Sequence, residues 1–177
     1  MEKEYQLGER ELLIRPVAVD DLPQILDIYN HFVVSSNYTM DTESKTLADM
    51  FSWYESHQGR FPAFVGTVSD KIIGYSSLSK WAERKGYYPS CEASLYLSPI
   101  DLAQGLGDVF MRHLEEVALS NNFTTILSFM TSTNKLAKNL ARRNGYVYIG
   151  VMQRVAEKFD RFVDIAMYQK FLDVKGV

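Results

Sequence analysis

Apolar positions along this 177-residue chain change period several times, and each change predicts an element. Leu12-Leu13-Ile14-Arg15-Pro16 predicts a first strand, stopped by proline. Asp20 or Asp21 can then cap a helix in which Leu22, Ile25, Leu26, Tyr29 and Phe32 recur at helical spacing. Thr46 with Asp49 three residues on has the form of a capping box, opening a second helix with Leu47, Met50, Phe51 and Tyr54 on one face. Between the two helices, His31 to Lys45 is a polar and aromatic connection of the kind that covers a site. Ala63–Val68 and Lys71–Leu78 predict a hairpin about Ser69-Asp70, and an aromatic and basic loop, Ser79–Pro89, follows.

Ser90–Leu97 alternates cleanly: Cys91, Ala93, Leu95 and Leu97 share one face, Ser90, Glu92, Ser94 and Tyr96 the other. A long helix follows with Leu106, Val109, Phe110, Leu114, Val117 and Ala118 as its apolar stripe. Thr124–Met130 is a β-branched run and predicts a strand. Asn134 can cap a short helix packed through Leu136, Leu140 and Ala141 and ended by Asn144-Gly145. Tyr146–Gln153 and Phe162–Tyr168 close the pattern as strands joined around Glu157–Arg161. Hairpins mixed with helical crossovers predict one α/β domain over residues 1–177, a mixed sheet flanked by helices.

Composition narrows the class. Net charge is −3, from 19 basic and 22 acidic side chains, which gives no footprint for nucleic acid. The apolar runs are too short for a membrane span, and Met1-Glu2-Lys3-Glu4 is charged where a signal peptide needs an apolar core, so a cytoplasmic protein is expected. One cysteine, Cys91, excludes an internal disulfide, and its place on the apolar strand face reads as core rather than nucleophile. His31 and His57 lie far apart in the pattern and His113 sits on the long helix, so no metal site is expected.

The chemistry concentrates between Glu92 and Met111. Glu92 is a carboxylate on the polar face of a strand, able to accept a proton from an amine directly or through water. Ser94 and Tyr96 share its face and should line the same cleft. Gln104-Gly105-Leu106-Gly107 opens the long helix, where backbone N–H groups and the helix dipole suit a phosphate. Yet no Lys or Arg occurs between Pro99 and Met111, and Asp101 and Asp108 flank the glycines.

Taken in order, Ile14-Arg15-Pro16, Asp21-Leu22, Ile28-Tyr29-Asn30-His31, Asp41-Thr42-Glu43, Glu92 through Pro99, Gln104 through Gly107, Asn134, Gly145-Tyr146 and Lys158 through Asp164 resemble the GCN5-related (GNAT) N-acetyltransferases, in their phosphinothricin acetyltransferase-like branch. The resemblance runs from about Leu12 to Leu172. It implies a splayed mixed sheet with acetyl-CoA, the co-substrate, lying where the strand Ser90–Leu97 parts from Thr124–Met130. It implies acetyl transfer to the primary amine of a small amino-acid-like substrate of the phosphinothricin or methionine sulfoximine type, by direct attack with Glu92 as general base. It further implies a pyrophosphate cradle over Leu102, Ala103, Gln104, Gly105, Leu106 and Gly107, an oxyanion donor at the Leu97 amide, and Asn134 beside the pantetheine arm. The acceptor would meet Met40, Arg84, Tyr87, Ser94 and Tyr96, and a homodimer is the implied assembly.

The chain departs from that pattern. Leu102 stands where arginine or glutamine usually opens the loop, and Ala103 replaces a frequent glycine. Ala137 replaces a common serine, and Ala141 stands where relatives carry a histidine or tyrosine able to protonate the leaving thiolate. One lost charge-assisted contact costs about 1.5–3 kcal/mol, so weakened rather than abolished cofactor binding is expected. The alternative reading is a degenerate domain of the same fold that binds an acyl-CoA or an amino acid without efficient turnover.

Overall fold

The computed structural model describes residues 2–7, 10–101 and 105–172. Eight strands form one sheet in the order β1-β2-β3-β4-β5-β6-β8-β7. They are β1 Lys3–Leu7, β2 Arg10–Pro16, β3 Ala63–Val68, β4 Lys71–Lys80, β5 Ser90–Leu97, β6 Thr125–Thr131, β7 Val147–Lys158 and β8 Arg161–Phe171. Four helices cover it: α1 Leu22–Ser35, α2 Leu47–Ser56, α3 Leu106–Ser120 and α4 Lys135–Arg143. All neighbouring strands are antiparallel except β5 and β6. This is the expected mixed, splayed α/β sheet with helices on both faces.

The two faces carry separate cores. On one, Leu106, Phe110 and Leu114 of α3 pack on Leu12, Ile14, Phe64, Cys91 and Ala93. On the other, Leu22, Ile25, Ile28 and Phe32 of α1 and Met50 of α2 pack on Ala63, Val65 and Tyr75. His113 is fully buried in the first core, its ring edge-on to Phe64 with 4.5 Å between centroids. Arg15 holds the start of α1 through paired bonds of 2.6 and 2.8 Å to Asp21.

Several elements differ from the reading of the pattern, among them the last two strands, where β7 runs on to Lys158 and β8 spans Arg161–Phe171, leaving a tight turn at Phe159-Asp160. β1 is an edge strand paired from Lys3↔Ile14 to Leu7↔Arg10, with only Tyr5 and Leu7 reaching the core. Two inward apolar residues in a charged pentapeptide are too weak a periodicity to register, and such charges suit an edge. On α2, Leu47 and Phe51 are exposed, and the buried side runs through Met50 with Trp53 and Tyr54 packed against it. Finally, β4 continues two residues past Leu78, so Ser79 pairs in register with Glu92.

The opening in the sheet sets up the site. β5 and β6 pair only at Ser90↔Thr125, Cys91↔Ile126 and Glu92↔Leu127. Beyond Glu92 each strand keeps its outer partner, β4 for β5 and β8 for β6, and the two part.

Candidate active site

The parting strands create a cleft of about 510 Å³ that passes through the sheet. Ala93 to Leu97 form one wall, Ser128 to Met130 the other, and Gly105, Gly107, Asn134 and the α4 residues Ala137 and Ala141 line its helical side. A second cavity of about 430 Å³ lies on the α1 and α2 face, lined among others by Tyr29, Asp41, Lys45, Trp53, His57, Tyr75, Ser77 and Ser79. Ser94 and Tyr96 line both. They are the residues at which the two spaces meet.

Backbone direction on β5 follows from one bond. Ser98 N–H donates to Ile73 O at 2.8 Å, so Ser98 points at β4. Alternation along an antiparallel strand then turns the N–H groups of Leu95 and Leu97 away from β4, into the cleft. The amide of Leu97 therefore has the direction an oxyanion donor requires.

Glu92 occupies the last paired position before the strands part. It is half-buried, and burial raises its carboxyl above the usual carboxylate range. Among the described residues it has no hydrogen-bond or ion-pair partner, although Ser94 lies two residues along its face and Ser79 directly opposite. It stands beside the walls of the second cavity rather than forming part of them. Cys91, one residue earlier and on the opposite face, is fully buried with its thiol pushed up to about 12 by burial, which makes it inert core.

Aromatic rings stand where the two spaces meet. Tyr96 stacks on Tyr75 at 5.4 Å and meets Tyr29 edge-on at 5.2 Å. Burial pushes the Tyr96 hydroxyl up to about 12, so it stays a neutral hydrogen-bonding group near neutral pH. Tyr29 donates to Asp41 Oδ2 at 2.5 Å and lies 2.7 Å from Thr39 Oγ1, which must donate in turn since the phenolic proton is committed. Asp41 also pairs with Lys45 at 3.0 Å.

At the far end of the cleft, Gly105 sits at φ +78° and caps α3 with no side chain in the way. The first N–H groups of a helix lack intrahelical partners, so this end suits a phosphate. Asp108, in the first turn, would oppose one. Burial alone would raise its carboxyl, but Arg143 and Asn144 hold it below the usual range, Arg143 Nη2 at 3.0 Å and Asn144 Nδ2 at 2.8 Å. The end of α4 thus sets a guanidinium beside this helix terminus, and Arg143 lines the cleft. Linear spacing hides this, because Arg143 lies 35 residues away. Asn134 accepts Ala137 N–H at 3.0 Å as the cap of α4 and also lines the cleft. The cleft volume, the free strand amides, the α3 terminus and Asn134 fit an extended nucleotide thioester.

Of the expected site residues, the structure brings together Leu97, Gly105, Gly107, Asn134, Ser94 and Tyr96 in the cleft wall, with Glu92 adjacent and Leu106 buried beneath as helix core. Leu102, Ala103 and Gln104 lie outside the described residues. Met40 is half-buried and lines neither cavity. Arg84 and Tyr87 are exposed and likewise line neither. Their loop is held another way: Trp81 stacks on Phe129 at 5.0 Å, and Tyr88 lies under the Arg60 guanidinium at 3.5 Å. Linear pattern does not single out Asp41, Lys45, His57 and Ser79 as pocket residues, because helix, loop and strand meet there only after folding.

Comparison with known proteins agrees with this geometry. Residues 14–167 match the acetyltransferase (GNAT) domain family. A phosphinothricin N-acetyltransferase of Streptomyces coelicolor is 28% identical over 92% of this chain and 98% of its own length. An L-methionine sulfoximine/L-methionine sulfone acetyltransferase of Pseudomonas aeruginosa is 30% identical over 90% of this chain and 94% of its own. Among solved structures, a Salmonella typhimurium acetyltransferase with its cofactor acetyl-CoA superposes at TM-score 0.88, with 25% identity over 94% of this chain and 96% of that one. A phosphinothricin acetyltransferase of Sinorhizobium meliloti in complex with acetyl-CoA gives TM-score 0.86 and 25% identity, over 90% and 87%. The chain belongs to the GNAT acetyltransferase family and is an N-acetyltransferase with acetyl-CoA as its co-substrate.

Proposed function

We propose that the protein acetylates the primary amine of a small amino-acid-like substrate of the phosphinothricin or methionine sulfoximine kind, by direct attack, with Glu92 as general base. The observation that carries this is the meeting of the two cavities at Ser94 and Tyr96, beside the half-buried Glu92 carboxylate, which has no hydrogen-bond or ion-pair partner among the described residues. The acceptor amine would lie in the α1 and α2 cavity, the thioester in the cleft, and Glu92 within one residue pair of their junction. A raised carboxyl suits a base that must take a proton from an ammonium near neutral pH. The Leu97 amide would stabilise charge developing on the thioester oxygen. Lys45, the cation lining the acceptor cavity among the described residues, would meet a substrate carboxylate. Arg84 and Tyr87 join the substrate's surroundings only if the 81–89 loop folds inward on binding, which Arg84→Ala would measure as a raised acceptor KM, and Met40 only if the connection between α1 and α2 moves.

Direct attack is favoured because the single thiol is buried and inert. Ala141 offers no proton to the leaving thiolate, which a water can supply. The test is thiol release from acetyl-CoA with phosphinothricin, L-methionine sulfoximine, L-methionine sulfone and a panel of amino acids. Turnover with one of these, lost in Glu92→Gln, is the expected result. Acetyl-CoA binding without thiol release from any acceptor would instead establish a binding module.

We further propose a homodimer formed through the β7 side of the sheet. β7 is an edge strand that exposes Val147, Tyr148, Ile149 and Val155, an apolar strip that an isolated edge would avoid. Sedimentation should give twice the chain mass, and a monomer at micromolar concentration would refute it. The cytoplasm, which supplies acetyl-CoA, is the compartment proposed for this activity.

A further inference from the structure

The His57 ring sits between α2 and β4 with both nitrogens engaged. Nδ1 lies 2.8 Å from Trp53 O and 3.1 Å from Ser56 Oγ. Trp53 O is a carbonyl and can only accept, and the Ser56 hydroxyl already donates to that same oxygen at 2.7 Å. Both neighbours of Nδ1 are therefore acceptors, so Nδ1 carries the proton. In the neutral ring Nε2 is then an acceptor, and Ser79 Oγ, 3.0 Å away, must donate to it. With its one proton committed, Ser79 Oγ has only lone pairs left for the cavity.

Ser79 pairs in register with Glu92, so the two side chains leave the same face of the sheet side by side. Ser79 and His57 both line the acceptor cavity, and Glu92 has no partner among the described residues. Two acceptors thus stand next to each other where an amine with several N–H donors must be held.

We infer that Ser79 is a second amine-binding residue, accepting an N–H of the acceptor beside Glu92, and that His57 is the positioning residue that turns its lone pairs inward. This rests on the acetyl-transfer reading above, with Glu92 as base. Holding two N–H groups on Ser79 and Glu92 leaves the nitrogen lone pair directed at the cleft. Protonation of His57 reverses the arrangement: Nε2 becomes a donor, Ser79 must accept from it, and the serine proton swings toward the amine. Burial lowers the His57 ionisation from its usual value, so neutral pH keeps the accepting form. The groups facing it are Asp41, Asp49, Lys45, the phenols Tyr29, Tyr75 and Tyr96 of the cavity, and Glu92 across from Ser79.

The experiment uses the full chain and whichever amine of the panel above it acetylates fastest, with Ser79→Ala, His57→Gln, the double variant and Glu92→Gln compared over pH. Ser79→Ala should raise the acceptor KM about tenfold with the acetyl-CoA KM unmoved. His57→Gln keeps an acceptor for the serine proton but cannot ionise, so its KM should rise less, and the His57 ionisation should vanish from the acid limb of kcat/KM. In the Ser79→Ala background His57→Gln should add nothing. A Ser79→Ala enzyme with wild-type acceptor KM, or an acid limb unchanged in His57→Gln, overturns the pair's role. Glu92→Gln separates the two levels. If it stays fully active the base assignment itself fails, whereas an inactive Glu92→Gln beside a normal Ser79→Ala refutes only the serine and histidine.

Discussion

Arg143, at the end of α4, reaches Asp108 in the first turn of α3 with Nη2 3.0 Å from Oδ2. The bond places a guanidinium beside a helix terminus whose own loop, from Pro99 to Met111, contains no basic residue. It also cancels a carboxylate that would otherwise repel a phosphate there.

Arg143→Ala should therefore weaken acetyl-CoA binding while leaving the fold intact. An exposed ion pair contributes about 0–1 kcal/mol, so thermal stability should hardly change. Losing the cation and baring Asp108 beside a phosphate should raise the acetyl-CoA KM about tenfold, most strongly at low salt. Initial rates at varied acetyl-CoA and ionic strength check this, and an unchanged KM at both salts would refute it.

Glu92→Gln should lower kcat by about a hundredfold or more, the usual contribution of a positioned base. Activity that depends on the carboxylate is lost as pH falls through its raised ionisation. Stability moves the opposite way. A carboxyl whose folded ionisation lies above its unfolded one adds stability at low pH that is lost as pH rises through the folded value. Wild-type protein thus carries a destabilising charge at neutral pH, and Glu92→Gln should melt slightly higher than wild type at pH 7 while matching it at pH 3. Calorimetry at the two pH values reads the difference.

Gly74→Ala should disturb the site through the backbone. A Cβ there would come within 2.9 Å of Tyr96 O and 3.2 Å of Leu97 Cα, atoms fixed by the β4–β5 ladder. Such overpacking costs about 1–3 kcal/mol. It should lower Tm by several degrees and, by shifting the Leu97 amide, lower kcat in the folded fraction. Gly150→Ala is the control: the nearest atom its Cβ would meet is Met167 Cε at 3.8 Å, an ordinary contact with the end of a flexible side chain.

Tyr29→Phe removes a hydroxyl that donates to Asp41 and neighbours Thr39. Asp41 keeps Lys45, so the wall should persist but lose definition. Loss of about 1 kcal/mol corresponds to an acceptor KM roughly fivefold higher. The acetyl-CoA KM should stay constant, since Tyr29 lines the second cavity only.

Period-two and period-3.6 patterns locate most strands and all four helices, and the alternation of Ser90–Leu97 by itself assigns Glu92, Ser94 and Tyr96 to one face. Those assignments depend on neighbours within one strand or helix, where side-chain direction follows from backbone geometry. β1 escaped because only two of its residues face the core. On α2, Leu47 and Phe51 have helical spacing yet stay exposed, because no described helix covers that side.

What the linear order determined by itself was the class of fold, the carboxylate face and the glycines that open α3. Tertiary structure decided the rest. It chose which cation answers Asp108, drew Asp41, Lys45 and His57 into one cavity with Tyr75 and Ser79, and left Arg84 outside it. Each of these depends on the packing of segments distant in sequence, and on a strand register that a two-residue extension of β4 is enough to set. The register is what stands Ser79 beside Glu92, and periodicity within a single strand carries no information about its partner.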